Sequence, residues 1–229
     1  MLWGLLCALA GTACGSAAPG ETEFYYLVFL KRAPDRKPIS EAEGERIQTA
    51  HMANIHAMAD RGVLVAAGPF EDSPAVFSGV FVFRAGSVEE ARRIAEQDPT
   101  VVEHRNLVEV YAWRGPKGIG DEYKRLHQAD PKTPEGMGVH PFAVLYRGSG
   151  WDDGAARAHT AYLEKLRGMG KLAAAGEIEG DRERAGLVIL ERIPDEEAKR
   201  LLEDDPAVRG GALRLEYHRW WCAAHVMPR

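Results

Sequence analysis

Two histidine–aspartate combinations are the residues best equipped for chemistry. His51 and His159 each sit within an apolar helical pattern, and each is followed by an Asp-Pro step, Asp98-Pro99 and Asp205-Pro206. His51 shares a helix face with Ile47, Ile55 and Met58, and His159 with Ala155, Leu163 and Leu166. Both imidazoles should therefore point at packed structure rather than water. Desolvation weakens a histidine as a base unless a carboxylate restores it, and a facing Asp would also fix its tautomer. Such a pair is a usable general acid or base near neutral pH. The same residues have a structural reading. Asp before Pro is a helix N-cap followed by an N1 proline, and a His on an apolar face is commonly a satisfied core residue.

A second set lies on two strands. Glu109, Tyr111 and Trp113 alternate onto one strand face, as do Glu216, His218 and Trp220, while Val108 and Val110 take the opposite face. Carboxylates among aromatic rings suggest a ligand-binding pocket. The alternative is a packed interface in which the Glu side chains meet Arg or Lys. No metal set is expected, because His51 and His56 are five apart and point from different helix faces. Cys222, beside Trp220 and Trp221, reads as a packing residue. The stretch Gly115 to Gly120 is glycine-rich but lacks the strand-to-helix context of a phosphate loop.

The elements that must position these residues occur twice. His51, Gly62, Leu64 and Gly68 match His159, Gly170, Leu172 and Gly176 at a spacing of 108. Gly79, Asp98-Pro99, Glu109 and Trp113 match Gly186, Asp205-Pro206, Glu216 and Trp220 at a spacing of 107, so one single-residue deletion reconciles the register. The spacing predicts an internal duplication. Each copy reads strand, helix, strand, strand, helix, strand. In the first copy, Ser40 with Glu43 forms a capping box for a helix ending near Gly62, and Ser87 caps the second helix. The predicted fold class is α+β, with two ferredoxin-like βαββαβ domains over residues 21–114 and 140–229. Residues 115–139 form the linker, with a short helix from Asp121 to Gln128. Each sheet would leave one apolar face uncovered, so the two copies should pack sheet to sheet as an intramolecular pseudo-dimer.

Composition narrows the partners. The chain has 229 residues, 45% apolar and 28% charged, with a net charge of −5 and interspersed signs. That balance suits globular domains and excludes the basic stripe of a nucleic-acid binder. Residues 1–20 carry no charge, and the apolar run Leu2 to Ala13 fits a signal peptide rather than a membrane span. Thr12-Ala13-Cys14 resembles a bacterial lipobox with Cys14 as the lipidated residue, although Gly11 stands where Leu is usual; ordinary cleavage among Ala13 to Ala18 is the alternative. Either way the expectation is export to the periplasm, the exterior or a lipid anchor. That anchor is the one membrane attachment expected.

The order helix-borne His, strand ending in Gly68-Pro69, Asp-Pro after the second helix and strand ending in Trp113 resembles the YciI-like (YCII-related) family. The likeness is close from Phe24 to Gly118, including Trp113-Arg-Gly-Pro-Lys-Gly118, and looser in the second copy, where Glu177 replaces Pro69. The resemblance implies a dimeric α+β barrel and an active pair of His51 with Asp98, and of His159 with Asp205. It also implies a small-molecule ligand and a cofactor-independent lyase, isomerase or dehalogenase acting on a small cyclic acid. A non-catalytic ligand-binding or structural protein is the competing expectation.

Overall fold

The first strand shows how the chain divides its side chains. In the computed structural model, which describes residues 21–71 and 76–228, β1 (Thr22–Arg32) sends Tyr25, Leu27 and Phe29 into one core and Tyr26, Val28 and Leu30 into another. Both faces of the strand are buried, which is why its sequence is a continuous apolar run. The leader expected over residues 1–20, with Cys14, lies outside the described residues.

After β1, Ser40 accepts a hydrogen bond from the Glu43 amide and opens α1 (Glu41–Asp60), which buries Ile47 and Met58 against the sheet. Gly62 ends the turn at φ +72°, a left-handed conformation that suits glycine. β2 (Leu64–Pro69) and β3 (Phe77–Phe83) follow, then α2 (Val88–Ala95) capped by Ser87, the single turn α3 (Pro99–Val102), and β4 (Asn106–Pro116). A connecting helix, α4 (Asp121–Ala129), leads to β5 (Gly138–Arg147). The second unit then repeats the order with α5 (Asp153–Gly168), β6 (Leu172–Glu179), β7 (Arg184–Leu190), α6 (Asp195–Glu203), α7 (Pro206–Arg209) and β8 (Leu213–Cys222). Two strands reach into the stretch expected as linker. β4 pairs with β1 out to Thr22↔Pro116, and β5 pairs with β8 from Gly138↔Cys222.

The strands form one eight-stranded sheet in the order β2-β3-β1-β4-β6-β7-β5-β8. The fold is α+β, of the dimeric α/β barrel type with two ferredoxin-like units. The units meet through their faces and also join edge to edge, which face-to-face packing alone does not anticipate. At one seam β4 pairs with β6 through Ala112↔Glu179, Trp113↔Ile178 and Arg114↔Glu177. At the other, Phe70 bridges Trp220, and the Glu71 amide donates to the Arg219 carbonyl at 2.9 Å. Phe29, Phe142, Trp113 and Trp220 fill the barrel interior, and each helical layer has its own core outside it.

Four glycines let the seams close. A Cβ on Gly68 would stand 2.0 Å from the Trp221 carbonyl oxygen, and one on Gly176 would stand 1.9 Å from that of Arg114. Behind them, a Cβ on Gly79 would meet the Gly68 oxygen at 2.6 Å, and one on Gly186 the Gly176 oxygen at 2.3 Å. The obstacles are backbone atoms, so no side-chain rotation relieves them. Gly68→Ala and Gly176→Ala should each destabilise the fold by about 3 kcal/mol in urea unfolding. Gly168→Ala, where an added Cβ meets nothing within 4 Å at the end of α5, should be neutral or stabilise by about 0.5 kcal/mol. Equal effects at all three positions would refute the close-approach argument.

Candidate active site

The packing of α1 against α3 brings His51 to Asp98. The His51 Nδ1 lies 2.9 Å and 2.8 Å from the two carboxylate oxygens. Its ring stacks on Phe81 with centroids 5.9 Å apart. Asp98 caps α3 at the same time, accepting from the Thr100 amide at 3.0 Å and the Thr100 hydroxyl at 2.6 Å, while Asn54 donates at 3.0 Å. The N-cap reading and the His-partner reading are therefore both true of one carboxylate. Its side chain is fully buried. Burial disfavours the charge, but the hydrogen bonds from His51, Thr100 and Asn54, with the histidine's charge, hold the carboxyl below its usual range. With the Asp98 carboxylate on Nδ1, the proton of neutral His51 sits on that nitrogen and Nε2 carries the lone pair.

The polar chain continues inward. Asn106 donates to the Thr100 hydroxyl at 3.0 Å, and Ser78 donates to the Asn106 side-chain oxygen and to the Leu30 carbonyl, both at 3.0 Å. Every member is bonded, which makes a buried network rigid rather than costly. Residue spacing pointed to His51 and Asp98 but missed Asn54, Ser78, Thr100 and Asn106. The signal was present in the repeat: the corresponding second-unit residues are Tyr162, Ala185, Ala207 and Leu213. Ser78 and Ala185 occupy matching β-bulges, and Asn106 and Leu213 pair with Arg32 and Arg147. The first unit is polar at all four positions.

The second pair is therefore barer. His159 Nδ1 lies 2.6 Å from Asp205, and Asp205 caps α7 through the Ala207 amide at 2.8 Å. Trp151 stands edge-on to the His159 ring. A cavity of about 740 Å³ opens instead beside His51. Met52 and Ile55 of α1, Val65 of β2, Tyr123 and Lys124 of α4, and Trp221 of β8 contribute to its wall. The site combines the first unit, the connecting helix and the last strand of the second unit.

The six strand residues expected to bind a ligand face the barrel interior, and all but the Trp113 indole N–H have hydrogen-bonding partners in the protein. Trp113 and Trp220 are fully buried in the central core. Glu109 binds Lys31, Arg184 and the Tyr111 hydroxyl. Arg184 lies over the rings of Tyr111 and Tyr146, 4.4 Å and 5.4 Å from their centroids. Glu216 accepts from Tyr146 at 2.5 Å and contacts His218 at 3.2 Å, and His218 stacks on Phe70. The His218 bond holds Glu216 below the usual carboxylate range against its burial, and burial followed by Glu216 pushes the Tyr146 hydroxyl up to about 12. Cys222 is a packing residue here, its thiol raised to about 12 by burial. Among the described residues no cluster of His, Cys, Asp and Glu has the makeup of a metal site.

The Asp98 network yields a pH prediction. Its carboxyl is more acidic folded than its ordinary 3.8, so the unfolded chain binds more protons between the two values. The stabilisation is present above about pH 4 and is lost as pH falls through the folded value. Asp98→Asn should cost about 1–3 kcal/mol at neutral pH. In urea unfolding across the acid range, the gap between wild type and variant should close below about pH 4. A gap independent of pH would show that the charge of Asp98 does not matter.

The barrel is shared with solved structures of low identity, which bears on the fold alone. A point-mutant chlorite dismutase from Candidatus Nitrospira defluvii is 9% identical with a TM-score of 0.55, the match covering 89% of this chain and 92% of that one. A heme-binding protein from Thermus thermophilus is 12% identical with a TM-score of 0.50, over 89% and 94%. No curated protein matches the sequence. Residues 25–114 match the YCII-related domain, so the unit that carries His51, Asp98 and their polar partners is similar to that family.

Proposed function

We propose that the chain binds a small, largely apolar molecule in the cavity between α1, β2 and α4, and that His51 exchanges a proton with it. The observation that carries this reading is the division of the imidazole: Nδ1 is tied to the buried Asp98, while Nε2 has no partner among the described residues and His51 lines the cavity. As a base, Nε2 takes a proton from an acidic C–H of the ligand, and Asp98 stabilises the imidazolium that forms. In an isomerisation the proton returns to another carbon. In a lyase or dehalogenase step the electron pair forms a double bond as the leaving group departs with its own pair. The duplicated pair His159–Asp205 lacks the supporting network and serves structure.

The test begins with thermal-shift screening of small organic acids and lactones, followed by NMR of each binder in deuterium oxide. Solvent exchange or turnover should fall at least about 100-fold in His51→Gln, with the melting temperature little changed, and should persist in His159→Gln. A binder that never exchanges or reacts, or one whose reaction survives His51→Gln, would leave ligand binding and end the catalytic reading.

A second reading rests on the same histidine. A carboxylate on one ring nitrogen is the usual support for a histidine that ligates metal through the other, and the neighbour from Thermus thermophilus binds heme. His51 and Asp98 fit that role at the cavity, where the iron would be held on Nε2. Under the proton-transfer reading, titration with hemin should give no saturable Soret shift that depends on His51. A shift lost in His51→Ala would favour heme.

A further inference from the structure

Behind His51 the large cavity adjoins a second cleft of about 340 Å³, and the two share Gln48, Ser78, Thr100 and Asn106 in their walls. The lining of the second cleft includes three arginines, Arg32, Arg36 and Arg105, and no carboxylate. None of the three has an acidic partner among the described residues. The neighbouring acids are already engaged: Asp35 with His104 at 2.8 Å, and Glu43 and Glu103 with Arg46 at 2.8 Å and 2.7 Å. One Arg105 nitrogen donates to the Lys37 carbonyl at 2.5 Å, which anchors that guanidinium to the loop after β1. Three cations gathered without a counter-charge, in a chain of net charge −5, repel one another until an anion joins them.

The second unit does not repeat this arrangement. Its counterpart of Arg105 is Ala212, and the counterpart of Arg32, Arg147, is turned to backbone carbonyls of Asp181 and Arg184. The arginines thus accompany the polar network of the first unit, on the side of the barrel where the cavity opens.

We infer that Arg32, Arg36 and Arg105 form an anion subsite, so that the ligand carries a carboxylate or other oxyanion in this cleft and its apolar body in the adjoining cavity. Guanidinium groups match such oxyanions through paired N–H donors. Gln48 lies one helical turn before His51 on α1 and lines both spaces. A ligand anchored on the arginines and passing Gln48 therefore brings the atoms next to its anionic group towards the His51 imidazole. The inference rests on the cavity being the ligand site but not on His51 being catalytic.

Calorimetric titration with 1-naphthoate and its neutral isostere 1-naphthamide tests it. The acid should bind at least about tenfold more tightly than the amide. That preference should be lost in the double variant Arg32→Gln/Arg105→Gln and reduced in Arg36→Gln, with amide binding unchanged. Arg36→Gln guards against misfolding, because this side chain has no structural bond among the described residues. Equal affinity for acid and amide, absence of acid binding, or a preference that survives both variants would overturn the subsite. Arginine-dependent acid binding in a chain with no His51-dependent reaction would leave the subsite standing and remove the catalytic proposal. A His51-dependent reaction indifferent to the arginines would do the reverse.

Discussion

Backbone of one unit passes against glycine of the other, and most of the structure follows from that approach. At Gly68 the neighbour is the carbonyl of Trp221, and at Gly176 it is the carbonyl of Arg114. Only a residue without a Cβ leaves room for strands to come this close. Gly79 and Gly186 serve the same end one strand further back. The approach lets Trp220 donate its indole N–H to the Gly68 carbonyl at 3.2 Å, and it brings Trp113 and Trp220 into one shared core. The seams are unequal. One carries a three-residue ladder, and the other a single bridge. The cavity lies beside the lighter seam, where β2 and β8 meet beneath α4.

Within the first unit the buried polar chain from His51 to Leu30 is the counterpart of that closure. Asp98 is the residue on which the others converge, since it orders α3, holds the imidazole and receives Asn54 and Thr100. A buried carboxylate with fewer donors would lose much of its reason to stay charged. The second unit has resolved the same geometry differently. Apolar or aromatic residues replace the network, while Asp205 keeps its helix cap and its histidine. The His–Asp geometry is therefore present in both units, and the surrounding polar network in one.

The fold was legible because its cues are local or repeated. Ser40 and Ser87 announce helix starts by their capping bonds, and Gly62 and Gly170 announce helix ends by adopting φ +72° and +64°. The spacing of His51 and Asp98 was legible through the repeat. The direction of the strand faces was also legible, with Val108 and Val110 meeting the helices and Trp113 and Trp220 the interior. The content of those faces was open between a pocket and a packed interface. Glu109 and Glu216 allowed either a pocket lining or an interface with basic partners; Lys31 and Arg184 reach Glu109, and Tyr146 reaches Glu216, from other strands, and no spacing within one strand reveals such partners. The cavity was hidden for a similar reason. Part of its wall comes from α4, a helix with no buried residue, and from Trp221, an outward residue of a distant strand. Tertiary placement decides such lining, not periodicity.

The connecting helix has a further consequence. Because α4 ties β4 to β5, the halves of the barrel find each other within a single molecule, at an effective concentration set by a short tether rather than by the amount of protein present. Dilution then does not separate them, as it would separate two unlinked subunits. Linkage also frees the halves from sharing one sequence. A substitution in a homodimer strikes both sites together, whereas here a change at Ala185 leaves Ser78 untouched. The two halves can accordingly differ in side chains while still sharing walls, as where Trp221 of the second half lines the cavity beside His51 of the first.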